Sequence, residues 1–303
     1  MTGSVPRYAL ALLALLLGLS LACRLAAPSP PQATFPLRVT DSRGREILIA
    51  EPPQRIIAFD AAAIETLFAT GAGDRVVGTH AFVSYPPEVA HIPKVGDAFN
   101  IDLEAVAALE PDLFYIFFDR FIPEMEQLGI TVLYLAAPED LEAIYERIRL
   151  WGDIVGHTAE AEVVVKRMQR ELDDLQRSLP PVVRGRGPGI RVFHEVGELW
   201  TTGPDTFVGR LYPLLKAYTI ADIEGWGQLS AEQVVEANPA VIITTYPEGP
   251  QAIRDIPAFQ SLSAVKAGRV YAVDGSLLSI PGPRIVEGLK ELARLLWPES
   301  RYD

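Results

Sequence analysis

Cysteine is nearly absent. The chain has 303 residues and a single cysteine, Cys23. That excludes a disulfide scaffold and any metal site built on several thiolates. Histidine is also sparse, and His80, His91, His157 and His194 show no metal-ligand spacing. Such a set argues against a binder of bare zinc or manganese, which needs several converging ligands. Positive charge is in deficit, 27 Lys and Arg against 39 Asp and Glu, for a net charge of −12. A chain of that sign, with no basic cluster, is a poor partner for nucleic acid. Catalytic signatures are missing too: the sequence has no GxSxG elbow, no P-loop and no HExxH, so no enzyme is expected. The GRGPG run at 185–189 precedes an expected strand instead of following one, so it fails as a phosphate loop. Glu195 and Glu198, close together at a strand end, read as a solvated rim.

Only one long apolar run exists, and it stands at the N-terminus. Residues 8–22 (YALALLALLLGLSLA) carry no charge and follow Arg7. That pattern is a secretory signal, too short and wrongly flanked for a membrane span. The stretch Ser20-Leu21-Ala22-Cys23 resembles a lipobox, with Ser20 where leucine is usual. Lipidation of Cys23 also accounts for a lone thiol in an exported chain. The following residues, RLAAPSPPQAT, suit a flexible tether. The expected location is the outer side of the cytoplasmic membrane, held there through lipid only.

The remainder alternates short apolar strands with helices, which implies an α/β fold with mostly parallel sheets covered on both faces. We divide the chain into a signal peptide (1–22), a tether (23–34), an N-terminal αβ lobe (35–138), connecting helices (139–180) and a C-terminal αβ lobe (181–303). The lobe opens on a hairpin turning at Asp41-Ser42-Arg43-Gly44. Between Pro138 and Pro180 there is no proline, and Ala161, Val164, Val165, Met168, Leu172 and Leu175 form one helical stripe. A helix over 159–178 would run about 30 Å, enough for a spine between two lobes.

The two halves repeat one another. Residues 104–116 read EAVAALEPDLFYI and residues 232–244 read EQVVEANPAVIIT. Each has a glutamate starting a helix, a proline seven residues on, and a buried strand at once. Equivalent lobes place equivalent surfaces beside a shared cleft, where ligands prefer to bind.

The stretches SYPPEVAHIPKVGDAFNIDLEAVAALEPDLF, TTGPDTFVGRLYPLL, GWGQLSAEQVVEANPAVII and PGPRIVEGLKELARLL resemble the iron-siderophore, haem and cobalamin class of ABC-importer binding proteins. The resemblance spans roughly residues 36–297, with the motifs in the family's order, and is nearest the corrinoid-binding branch. It implies two αβ lobes joined by one long helix, with ligand held between them and little hinge motion. It implies a monomer that delivers a small-molecule metal chelate to an ABC permease dimer and its ATPase subunits. It maps the permease-docking role to Glu104 and Glu232. It implies no cofactor bound by the protein itself and a cargo that is a cobalt or iron chelate, a corrinoid ahead of a ferric siderophore or haem. Use of the same fold for sensing without transport stays open. Residues expected to wall the ligand are Tyr85, Phe99, Phe118, His194, Trp200, Trp226 and Tyr246, all near expected strand ends. The indoles offer flat, rigid faces to a macrocycle at little entropic cost.

Overall fold

A computed structural model describes residues 32–97, 99–181 and 189–299. Cys23 and the signal segment lie outside them. The first described element is a hairpin, β1 (Leu37–Thr40) antiparallel to β2 (Glu46–Ile49). Asp41 pins its turn: its carboxylate accepts from the N–H groups of Arg43 and Arg45 at 2.9 and 2.8 Å, and from Arg45 Nε at 2.8 Å.

The first lobe contains β3 (Ile56–Phe59), α1 (Ala61–Ala69), β4 (Val76–Thr79), α2 (Leu103–Ala108), β5 (Leu113–Ile116), α3 (Ile122–Gln127) and β6 (Val132–Tyr134). Its strands form a parallel sheet in the order β4-β3-β5-β6. Side chains alternate along each strand. Ile56, Ala58, Leu113 and Tyr115 enter one core with Ile64 and Leu67 of α1. Ile57, Phe59, Phe114 and Ile116 enter another with Val106, Ile122 and Met125. A sheet buried on both faces explains the continuous apolar runs.

Two helices follow, α4 (Leu141–Val155) and α5 (Thr158–Ser178). The 21-residue α5 is the long helix that the sequence predicts. The bridging is shared with α4, which the sequence pattern did not single out. Ile144, Tyr145 and Ile148 of α4 pack into the second lobe, whereas Trp151, Ile154 and Val155 pack into the first. Close approach of the helix pair depends on Gly152, where a Cβ would stand 2.4 Å from that of Ala161.

The second lobe contains β7 (Ile190–Glu195), β8 (Trp200–Thr202), α6 (Phe207–Leu211), β9 (Ala217–Thr219), β10 (Trp226–Gln228), α7 (Ala231–Ala237), β11 (Val241–Thr244), α8 (Gly249–Asp255), α9 (Ser263–Lys266), β12 (Val270–Ala272), α10 (Ser276–Ser279) and α11 (Ile285–Leu296). Strand order is β10-β8-β7-β11-β12, and β9 also pairs with β7. The β7–β11, β11–β12 and β7–β9 pairs are parallel. The β8 and β10 strands form an antiparallel extension that starts at the C-terminal end of β7, where Glu195 pairs with Thr201.

The repeat seen in the sequence is also a repeat of backbone. Asp102 caps α2 by accepting from Ala105 N at 2.9 Å, and Ser230 caps α7 in a capping box with Gln233. Each such cap stabilises its helix by about 1 kcal/mol. Each helix then ends in a left-handed residue before proline, Glu110 at φ 44° and Asn238 at φ 43°. Glu104 and Glu232 occupy the same position, two residues past the cap, and both are exposed.

Candidate functional site

The first lobe turns the C-terminal ends of its strands toward the second, as parallel sheets present their ligand-binding ends. A cavity of about 350 Å³ lies there. Its first-lobe wall is made by Asp60 after β3, His80 and Phe82 after β4, Phe117 after β5, and Ala137 and Pro138 after β6. Phe207 and the segment Ser279–Pro281 close it from the second lobe. The lining is apolar and aromatic with a few polar groups, the usual character of a small-molecule site.

An aromatic lattice holds the first-lobe wall. The ring of Phe59 meets those of His80, Phe114, Phe118 and Phe121 at 5.4–6.4 Å. Phe118 stands at right angles behind Phe117, 5.0 Å between centroids. Asp60 caps α1, accepting from Ala62 N at 3.1 Å and Ala63 N at 3.2 Å. Burial pushes its carboxyl up, against those two bonds. Burial, assisted by the nearby Lys94 charge, holds His80 down at about 4.

The second lobe carries a pair of indoles. Gln228 stands opposite Trp200 and Trp226 opposite Thr202 in the β8–β10 register. Trp200 and Trp226 are therefore diagonal neighbours on one face of the ribbon, about 7–8 Å apart. They are 44% and 48% exposed, large apolar areas without cover. The turn that delivers Trp200 is strained, with Glu198 at φ 51° and Leu199 at φ 63°. The buried Glu195 carboxylate stabilises it, accepting from the N–H groups of Gly197 and Leu199 at 2.9 and 3.1 Å.

The other expected residues take diverse positions. Phe99 is 69% exposed at the tip of a turn that the Asp97 carboxylate ties, accepting from Phe99 N and Asn100 N at 2.8 Å. Tyr246 follows β11 and is half-buried; burial and the Glu195 carboxylate push its hydroxyl up. Tyr85 faces a second cavity of about 430 Å³ on the spine side, where the Arg284 guanidinium lies 3.8 Å from its ring centroid. His194 is 1% exposed, with Nδ1 2.6 Å from the Tyr212 hydroxyl in the second-lobe interior, which leaves it no face for a ligand. Asp60, Phe82, Phe117 and Phe207 were not singled out by sequence reading. Three of them follow strand ends directly or by a few residues, and that rule could have found them.

Two residues join the lobes. Arg284 bonds Glu65 through Nε and Nη2 at 2.9 and 2.7 Å, and both side chains are largely buried. The contact lies beside α1, whose N-terminal residues Asp60 and Ala61 line one cavity while Glu65, Phe68 and Ala69, one to two turns further along, line the other.

Comparison with known proteins gives consistent findings. Residues 56–277 match the family described as periplasmic binding protein. An uncharacterised ABC transporter substrate-binding lipoprotein of Bacillus subtilis is 32% identical over 88% of this chain and 87% of its own. A cobalamin-binding protein of Halobacterium salinarum is 26% identical over 88% of this chain and 78% of its own. Among solved structures, a possible iron-binding periplasmic solute-binding protein from Staphylococcus epidermidis superposes with a TM-score of 0.72 at 26% identity, covering 82% of this chain and 100% of its own.

Proposed function

This chain belongs to the periplasmic binding protein family, and on that premise we propose that it captures a corrinoid between its lobes for delivery to an ABC importer permease. It is a substrate-binding protein that works outside the cytoplasm, and it is not an enzyme. The observation that carries the ligand reading is the aromatic cleft. A cavity walled by Phe82, Phe117 and Phe207 offers aromatic faces on which part of a flat chelate could rest. The exposed Trp200–Trp226 face adds area for stacking. The similarity to a cobalamin-binding protein supports the same class.

Charge supports it as well. A ferric catecholate is strongly anionic and favours clustered arginines. Among the described residues that line the cleft cavity there is no arginine. Arg284 is engaged by Glu65 and Tyr85. Glu104 and Glu232 would dock the two lobes on the permease, because each stands exposed at the same helical position of its lobe. Such pairs orient a partner more than they raise affinity. Cys23 would hold the chain at the membrane.

The test is equilibrium binding to the purified protein of cyanocobalamin, a ferric hydroxamate, a ferric catecholate and haemin. One-to-one binding of cyanocobalamin ahead of the others is expected. Preference for haemin or a siderophore would overturn the corrinoid reading and keep the family.

A further inference from the structure

The two polar groups of the first-lobe wall carry more than their presence. Strands β3 and β4 run parallel with Ala58 beside Thr79, and Thr79 Oγ1 donates to Ala58 O at 2.8 Å. Asp60 and His80 follow these strands and so leave neighbouring chain ends, about 5 Å apart in a sheet. Both line the same cavity.

The hydrogen bonding of His80 fixes its tautomer. The Phe82 backbone N–H donates to His80 Nδ1 at 3.2 Å. A peptide N–H can only donate, so Nδ1 must keep its lone pair, and the neutral ring carries its proton on Nε2. A second proton is opposed by burial and by Lys94, whose ammonium is anchored on the carbonyls of Val83 and Val89 at 3.0 and 3.3 Å. Nε2 makes no hydrogen bond among the described residues. Coordination of a metal through Nε2 would need the proton moved to Nδ1, where it would face the Phe82 N–H.

Asp60 has the complementary character. Its two oxygens each accept one backbone N–H of α1, and the Tyr115 hydroxyl is a further partner of the carboxyl, which leaves acceptor capacity for one more donor. A donor and an acceptor at neighbouring strand ends match one functional group well. The carbonyl of a primary carboxamide accepts from His80, and its NH₂ donates to Asp60. A ligand carboxylate offers no donor to Asp60.

We infer that His80 and Asp60 form a specificity pair for a carboxamide on the rim of the chelate, with His80 serving as a donor and closed to the metal. The inference rests on the chelate reading above, and selects a chelate whose metal has its axial positions filled.

The test uses the full chain. With histidine-specific ¹⁵N labelling, long-range ¹H–¹⁵N spectra should show His80 as the neutral Nε2–H tautomer at pH 7. The Nδ1–H tautomer would overturn the assignment. In titrations with cyanocobalamin, His80→Phe and Asp60→Asn should each weaken binding about tenfold, while His80→Gln, which keeps a donor, stays within about threefold of wild type. Equal binding by wild type and His80→Phe would sink the specificity pair alone. A haemin complex with an imidazole-ligated spectrum that His80→Gln abolishes would do the same. A wild-type chain that does not bind cyanocobalamin would remove the corrinoid reading, and the carboxamide assignment with it.

Discussion

Arg284 reaches from the second lobe into the first and bonds Glu65 through two nitrogens, both to the same oxygen, Oε1. The other oxygen, Oε2, is buried without a partner. Gly282 leaves room for it, since a Cβ there would stand 3.0 Å away. Burial pushes the Glu65 carboxyl up, and the bonds from Arg284 pull against that rise. Loss of one partner strands a buried charge, at a cost of about 3–5 kcal/mol. Arg284→Met is thus expected to lose that much stability in urea unfolding at pH 7, and to recover part of it at pH 4 as Glu65 takes a proton. The double variant Glu65→Leu/Arg284→Met should return to within about 1–2 kcal/mol of wild type. A double variant whose loss equals the sum of the two single losses would show that the pair is not coupled.

The exposed indoles should matter to ligand and not to fold. Trp226→Ala and Trp200→Ala each remove a flat apolar surface worth about 1.5–3 kcal/mol when covered. Cyanocobalamin affinity is expected to fall between about tenfold and a hundredfold in each. The melting temperature should stay within about 2 °C, because neither ring belongs to a core. An unchanged affinity would take the Trp200–Trp226 face out of the site.

Charge reversal at the repeated helices tests docking. Glu104→Lys with Glu232→Lys should leave cyanocobalamin binding intact, since both side chains are exposed and lie outside the lining of the cleft. Stimulation of ATPase activity in the reconstituted importer should fall at least tenfold. The single variants should fall less, each leaving one lobe able to engage. Full stimulation by the double variant would mean that the permease reads other surfaces.

The two-lobe architecture was legible because its determinants are local and periodic. Strands such as Ile56–Phe59 and Leu113–Ile116 are buried throughout, and the α5 stripe repeats at helical spacing. The repeat around Glu104 and Glu232 was legible because caps and prolines sit at fixed offsets. Site residues were harder, since their role depends on side-chain direction at strand ends. His194 and His80 are the same residue type near strand ends, yet one points into a core beside Tyr212 and the other lines the cleft. Tyr85 illustrates a second reason. Its stacking on Arg284 joins residues 199 positions apart, and no local pattern carries that contact. The role of α4 was hidden in the same way, because one helix divides its side chains between two cores.

The proposed lipid anchor would make membrane attachment depend on the single sulfur of Cys23. Replacing Cys23 with serine should abolish incorporation of a fatty-acid analogue and shift the protein from the membrane fraction to the soluble exported fraction. Binding of cyanocobalamin should be unaltered, because the residues that line the cleft cavity, Asp60 to Pro281, all lie far along the chain from Cys23. Retention of the serine variant at the membrane, without label, would show that something other than lipid holds it.

Acid should weaken the fold through His194. Burial holds its imidazole at about 4 against an ordinary value of 6.5. The unfolded chain therefore binds a proton that the folded chain refuses over that window. The contribution is fully present above pH 6.5 and is lost as pH falls to about 4, amounting to ~3 kcal/mol. Carboxylates titrate in the same range, and His80 adds a change of the same sign. Comparison with His194→Gln isolates the one residue, because the other groups cancel in the difference. Glutamine keeps a polar partner for the Tyr212 hydroxyl, so the variant should be less stable than wild type at pH 7 and nearly level with it at pH 4.5. A gap between the two proteins that stays constant from pH 7 to 4.5 would mean that His194 is protonated in the folded state, and that water reaches it.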